Sequence, residues 1–308
     1  MSRPSTKGAG LLAGVAVLLT TAITPPAQGR VVTAERAAVT CTMDVGSVTA
    51  GGDHTYRRIT AGTPPTMSTV LNRAGTGLYP AGNVRASTTF VNQTESTVTY
   101  VGGWVLQGDS LYRSTYDLAG GVMGDPVLTR VGGGWTDFKL IEEAQYRPVQ
   151  HGQTLRTYEY ALTDDGFLVR WVNTNGVWRR TAGGVGFESV KTMALISKTA
   201  KYDTFLANTR GGALYTIRIG SGIPATFDIR RVRTATWQVF ETLLAVKCGV
   251  YGTLLLGIDK GTKSGYLYAV GHANGLSTVI KGLGKVQGTF PDPIDFRWRN
   301  EFDPLNGD

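Results

Sequence analysis

Five stretches of this chain repeat one pattern at a near-constant interval, and that period limits the possible folds more than any other feature. "LTRVGGGWTDFK" matches "WRRTAGGVGFESVK", "IRRVRTATWQVFE" and, upstream, "VLNRAGTGLYPAG"; "VIKGLGKVQGTF" is a degenerate fifth copy. The basic residue that opens each falls at Arg73, Arg130, Arg180, Arg231 and Lys281, at intervals of 57, 50, 51 and 50 residues. Ahead of these runs lies a hairpin pattern, as in "WVLQGDSLYRS", "YALTDDGFLVRW" and "FLANTRGGALYTI". The hairpin strands alternate: in "ALYTIRI", Leu214, Thr216 and Arg218 face one way and Tyr215, Ile217 and Ile219 the other. Each unit therefore holds about four short strands, the period of a propeller blade. Helical repeats of similar length are disfavoured by the Gly, Thr and Val content. The expectation is an all-β fold: a five-bladed β-propeller of four-stranded antiparallel blades spanning residues 30–290, with residues 291–308 as an irregular tail.

The glycines, 41 of 308 residues, fit many tight turns. "VGGGWTDFK" has neither the spacing of a Walker loop nor that of a dinucleotide fingerprint, so its glycines read as turn residues rather than a phosphate cradle. The formal net charge is +8, yet the arginines are scattered with no basic run of five, so no nucleic-acid partner is expected. Residues 1–29 combine Arg3 and Lys7 with the apolar stretch "GLLAGVAVLLTTAI" and the small residues of "TPPAQG". This reads as a cleaved secretory signal, too short to span a membrane, and predicts a secreted protein with no stable membrane insertion.

Cys41 opens the first repeat and Cys248 leads into the fifth. In a closed ring those repeats are neighbours, so the two cysteines of a secreted chain are expected to form a disulfide.

The motifs "DGFLVRWV…NGVWRR", "GALYTIRI" and "GGGWTDFK" resemble the blades of the tachylectin family, five-bladed propeller lectins. The resemblance covers roughly residues 40 to 290. It implies a non-enzymatic protein that binds N-acetylated sugars or N-acetylhexosamine-containing glycans in repeated sites beside the blades, without a cofactor, as a monomer.

Within the repeat, Tyr79, Trp135, Phe187 and Trp237 recur at one place, and the fifth copy lacks a tryptophan there. An aromatic face suits a pyranose ring, with Asp137, Asn173 and Asn175 as nearby polar groups for its hydroxyls. The same rings also suit packing between blades. A glycosidase needs two carboxylates about 5 to 10 Å apart. Glu142–Glu143 and Asp164–Asp165 are the candidate pairs; the first alternates across a strand and the second sits in a turn. His54, His151 and His272 stand apart, without metal-ligand spacing. Besides sugar binding, a scaffold for a protein partner and a secreted glycoside hydrolase are the other functions such a chain accommodates.

Overall fold

The computed structural model describes residues 41–69, 72–147, 155–174, 177–300 and 303–308. The expected signal peptide, His151 and Asn175 lie outside them. The described residues form five blades: blades 3, 4 and 5 are separate four-stranded sheets, and blades 1 and 2 belong to one eleven-stranded sheet. Blade 1 holds β1 (Thr42–Val48), β2 (His54–Thr60), the short β3 (Thr66–Met67) and β4 (Asn72–Gly75). Blade 2 holds β5 (Val84–Ser87), β6 (Phe90–Glu95), β7 (Val98–Gln107), β8 (Ser110–Ala119), the short β9 (Val122–Met123) and β10 (Val127–Gly132). Blade 3 is β11 (Phe138–Tyr146), β12 (Arg156–Thr163), β13 (Leu168–Thr174) and β14 (Val177–Gly184). Blade 4 is β15 (Val190–Lys198), β16 (Tyr202–Thr209), β17 (Leu214–Gly220) and β18 (Phe227–Arg233). Blade 5 is β19 (Thr242–Lys247), β20 (Thr253–Asp259), β21 (Ser264–Val270) and β22 (Ile280–Lys285). This is a five-bladed β-propeller of antiparallel blades. Among the described residues no helix is long and apolar enough to cross a membrane.

The tail departs from expectation. It is not irregular: β23 (Ile294–Asn300) pairs antiparallel with β1, Gly46 opposite Phe296, and parallel with β6, Trp298 opposite Phe90. The last strand of the chain thus completes the first blade from the inside. The segment alternates, with Phe296 and Trp298 packed in the core between blades 1 and 2 while Arg297 and Arg299 lie close to Asp303 and Lys198. Burial would raise the Asp303 pKa, but the charges of Arg297, Lys198 and Arg299 outweigh it and hold the carboxyl below its usual range. The segment beyond is fastened as well. Gly307 N–H donates to the Ile196 carbonyl (2.9 Å), and the Asp308 carboxylate accepts from Thr204 Oγ1 (2.6 Å) and Arg218 Nε (2.9 Å).

The repeated basic anchor is a β-bulge. The outer strand of every blade shifts register at the same place, leaving Ala74, Val131, Thr181, Val232 and Leu283 unpaired one or two residues after Arg73, Arg130, Arg180, Arg231 and Lys281. The aromatic turn that follows is fastened to its own blade. Tyr79, Trp135, Phe187, Trp237 and Phe290 donate their backbone N–H to the carbonyls of Gly52, Asp109, Gly166, Gly212 and Lys263, each in a turn between the second and third strands, at 2.9–3.2 Å. Gly166 and Gly212 hold φ near +85 and +90 there, and a Cβ on Gly166 would sit 2.1 Å from the backbone of Glu188.

The apolar core is divided among the five joints between blades. Fourteen buried residues fill the joint between blades 5 and 1, fourteen that between 3 and 4, twelve that between 4 and 5, and ten that between 1 and 2. The joint between blades 2 and 3 holds five: Ala86, Leu106, Leu111, Ile141 and Ala161. The Cys41–Cys248 disulfide forms as expected and bonds blade 1 to blade 5 across 207 residues of sequence.

Candidate functional site

Among the described residues, the joint with the fewest buried apolar side chains also carries a cavity. A cavity of about 330 Å³ lies between blades 2 and 3, walled by β6, β7 and β8 on one side and the end of β11 on the other. Its polar wall is built by strand alternation, which sets Arg113, Thr115 and Asp117 on one face of β8. Arg113 stands opposite Trp104 in the β7–β8 ladder, and its guanidinium carbon lies 4.9 Å from the indole centroid. Gly102 makes room for it, since a Cβ there would fall 2.7 Å from the Arg113 Nη2.

Trp104 also bridges the joint. Its Nε1–H donates to Glu143 Oε2 on β11 at 2.9 Å, and its ring meets Trp178 edge-on at 5.1 Å. Glu143 faces Glu159 directly in the β11–β12 ladder. Glu159 is buried behind it, and burial raises its carboxyl well above the usual range, with the neighbouring Glu143 charge and hydrogen bond adding to the rise. Glu142, one residue earlier, turns away: its Oε1 accepts from the Thr89 N–H at 3.1 Å, and burial lifts its pKa against the pull of Arg297. Tyr100 and Asp125 complete the cavity's polar side and are both exposed; Val91, Val101 and Val127 give it an apolar side.

The aromatic positions expected from the repeat are inter-blade packing residues in this structure. Tyr79, Phe187 and Trp237 are 3–5% exposed. Tyr79 donates or accepts a 2.9 Å hydrogen bond with Ser114 of the next blade, and Phe187 lies 5.9 Å from Phe227. Trp135 is half-buried, 5.1 Å from Trp171 of blade 3. Asp137 is exposed in the turn, and Asn173 is exposed on β13 opposite Trp178. None of the six lines the cavity. Phe290, the last residue of the degenerate fifth copy, is the fifth member of the aromatic set. Asp164 and Asp165 stay in the β12–β13 turn. Sequence reasoning reached Glu143 but paired it with its neighbour; the ladder pairs it with Glu159. Trp104 and Arg113 sit inside the hairpin "WVLQGDSLYRS" but read there only as strand residues, and Asp117 lies outside every repeated motif.

No protein-family model matches the chain, and no curated protein matches it. Similar solved structures include an alpha-L-arabinofuranosidase from Podospora anserina in complex with cellotriose, at 11% identity and TM-score 0.45, covering 73% of this chain and 80% of that one. Another is the periplasmic gluconolactonase of Pseudomonas aeruginosa, at 12% identity and TM-score 0.38, covering 82% of this chain and 98% of that one.

Proposed function

We propose that this protein is an exported, non-enzymatic carbohydrate-binding propeller that takes an N-acetylated sugar in the cleft between blades 2 and 3. The observation that carries the reading is the lining of the polar cavity, where the exposed ring of Tyr100 stands with Arg113, Asp117 and Glu143. Sugars are bound by a ring face against an aromatic and by charged groups on their hydroxyls; Arg113 and Asp117 offer donor and acceptor to adjacent hydroxyls. The valines of the same blade-2 wall, Val91 and Val127, give an acetyl methyl an apolar seat. The blade motifs that resemble the tachylectin family support the same ligand class, with one cleft in place of five equivalent sites. The disulfide fits export to an oxidising compartment.

Titration of the protein with chitooligosaccharides tests the proposal. Saturable binding, weakened about tenfold or more by Tyr100→Ala, is expected. No binding at high loading would sink it, and accumulating reducing ends would overturn the non-enzymatic part.

A further inference from the structure

The fold collects arginines and lysines that the sequence scatters. The outermost strands are β4, β10, β14, β18 and β22, one on each blade. Together they contain nine basic residues: Arg73, Arg130, Arg179 and Arg180, the three arginines of β18, and the two lysines of β22. They contain one acid, Asp228, which pairs with Arg230 at 2.8 Å. These strands therefore carry +8, and the remaining sequence carries 22 basic and 22 acidic residues. The outer strands thus carry a positive excess that the rest of the sequence, taken together, does not share. Arg130, Arg179, Arg180, Arg230, Arg231, Lys281 and Lys285 are all exposed.

Charged side chains on an edge strand prevent it from pairing with another chain. Protection of that kind works with either sign, so it accounts for charge on the rim but not for nine of ten charges being positive. We propose that the rim is a binding surface for a flexible polyanionic polysaccharide, one bearing carboxylates along its length. The circumferential layout selects this partner. The strips face outward in five directions, so a planar lipid surface meets one or two of them. Duplex nucleic acid is stiff over about 150 base pairs and cannot follow so tight a curve. A flexible acidic glycan reaches consecutive strips, and each further contact becomes intramolecular. This surface is separate from the cleft between blades 2 and 3, so the two proposals stand or fall independently.

Polygalacturonate is the probe, followed by isothermal titration from about 50 to about 300 mM NaCl. Binding that weakens steeply with salt is expected, and Arg179→Ser with Arg180→Ser lowers affinity about tenfold at the low-salt end. Lys201→Ser with Lys247→Ser removes the same charge from exposed positions off the rim and leaves affinity within about twofold of the parent. Arg230→Ser with Arg231→Ser gives a second rim variant should the first unfold, as judged by circular dichroism. Absence of binding at low salt overturns the proposal, as does an equal loss from rim and off-rim pairs. Tighter binding to phosphatidylglycerol vesicles or to a short DNA duplex than to polygalacturonate overturns the choice of partner.

Discussion

The Trp237 and Tyr268 rings lie 4.8 Å apart across the joint between blades 4 and 5, while the Trp237 backbone N–H holds the Gly212 carbonyl of its own blade at 3.0 Å. One residue thus fastens a turn within a blade and fills the gap to the next. Trp237→Ala is expected to cost about 3–5 kcal/mol, the range for deleting a buried aromatic. Asp137→Ala, at an exposed turn position, is expected to stay within about 0.5 kcal/mol. Urea denaturation of the two variants beside the parent reads both values. A small loss at Trp237 would show that the joint repacks.

Closure of the ring gives a second expectation. The Cys41–Cys248 bond joins the first and last blades across 207 residues, and a loop that long restricts the unfolded chain strongly. Cys41→Ser with Cys248→Ser is expected to lose about 5 kcal/mol by the loop-entropy relation. The urea midpoint of the double variant against the oxidised parent measures it.

β23 fastens the neighbouring joint, between blades 1 and 2, without covalent chemistry, and its fit depends on a missing side chain. A Cβ at Gly46 would lie 2.1 Å from the Phe296 ring. Gly46→Ala is expected to destabilise by about 1–3 kcal/mol through overpacking. Combined with Phe296→Leu, the loss should be smaller than the sum of the two single losses, because the shorter side chain vacates the space. A double-mutant cycle that came out additive would contradict the contact.

A histidine at the same inner wall sets an acid limit. His54 is fully buried among Phe90, Phe296 and Trp298, with Nδ1 at 2.8 Å from the Tyr116 hydroxyl, and burial lowers its pKa to about 3. The unfolded chain takes up the proton near pH 6.5 and the folded protein does not. The neutral imidazole's contribution is therefore fully present above about pH 6.5 and is lost as pH falls towards 3. The slope from this one group approaches about 1.4 kcal/mol per pH unit. Glu142 and Glu159, with raised pKa values, act in the opposite sense, so the quantity to measure is the difference between parent and His54→Gln. The variant should show a shallower loss of stability from pH 6.5 to 3; parallel curves would place the acid sensitivity elsewhere.

Much of the fold was legible because its signals are local. The alternation of "ALYTIRI", the "TDDG" turn and the spacing from Arg130 to Arg180 each depend on a few neighbouring residues. β23 escaped for the opposite reason. "IDFRWRN" alternates as cleanly as any strand, but it stands outside the repeat, and its partner β1 lies some 250 residues away. The site was less legible still. Trp135 and Trp237 caught the eye through repetition, and repetition marks what every blade needs, which is packing. Trp104 and Arg113 belong to a single joint, so no period reveals them.

The sequence by itself determined the unit: strands of period two, turns where glycine adopts positive φ, and five copies of both. Side-chain alternation and backbone sterics act over a few residues, so they are written wherever they act. Tertiary structure alone decided which strand closes the ring, which joint stays open, and that Glu143 meets Glu159 rather than Glu142. It also decided that scattered basic residues share one rim, because the outer strand is the same place in every blade. Those outcomes depend on pairing and packing between segments far apart in the chain, where the free energy belongs to the contact and neither segment carries it alone.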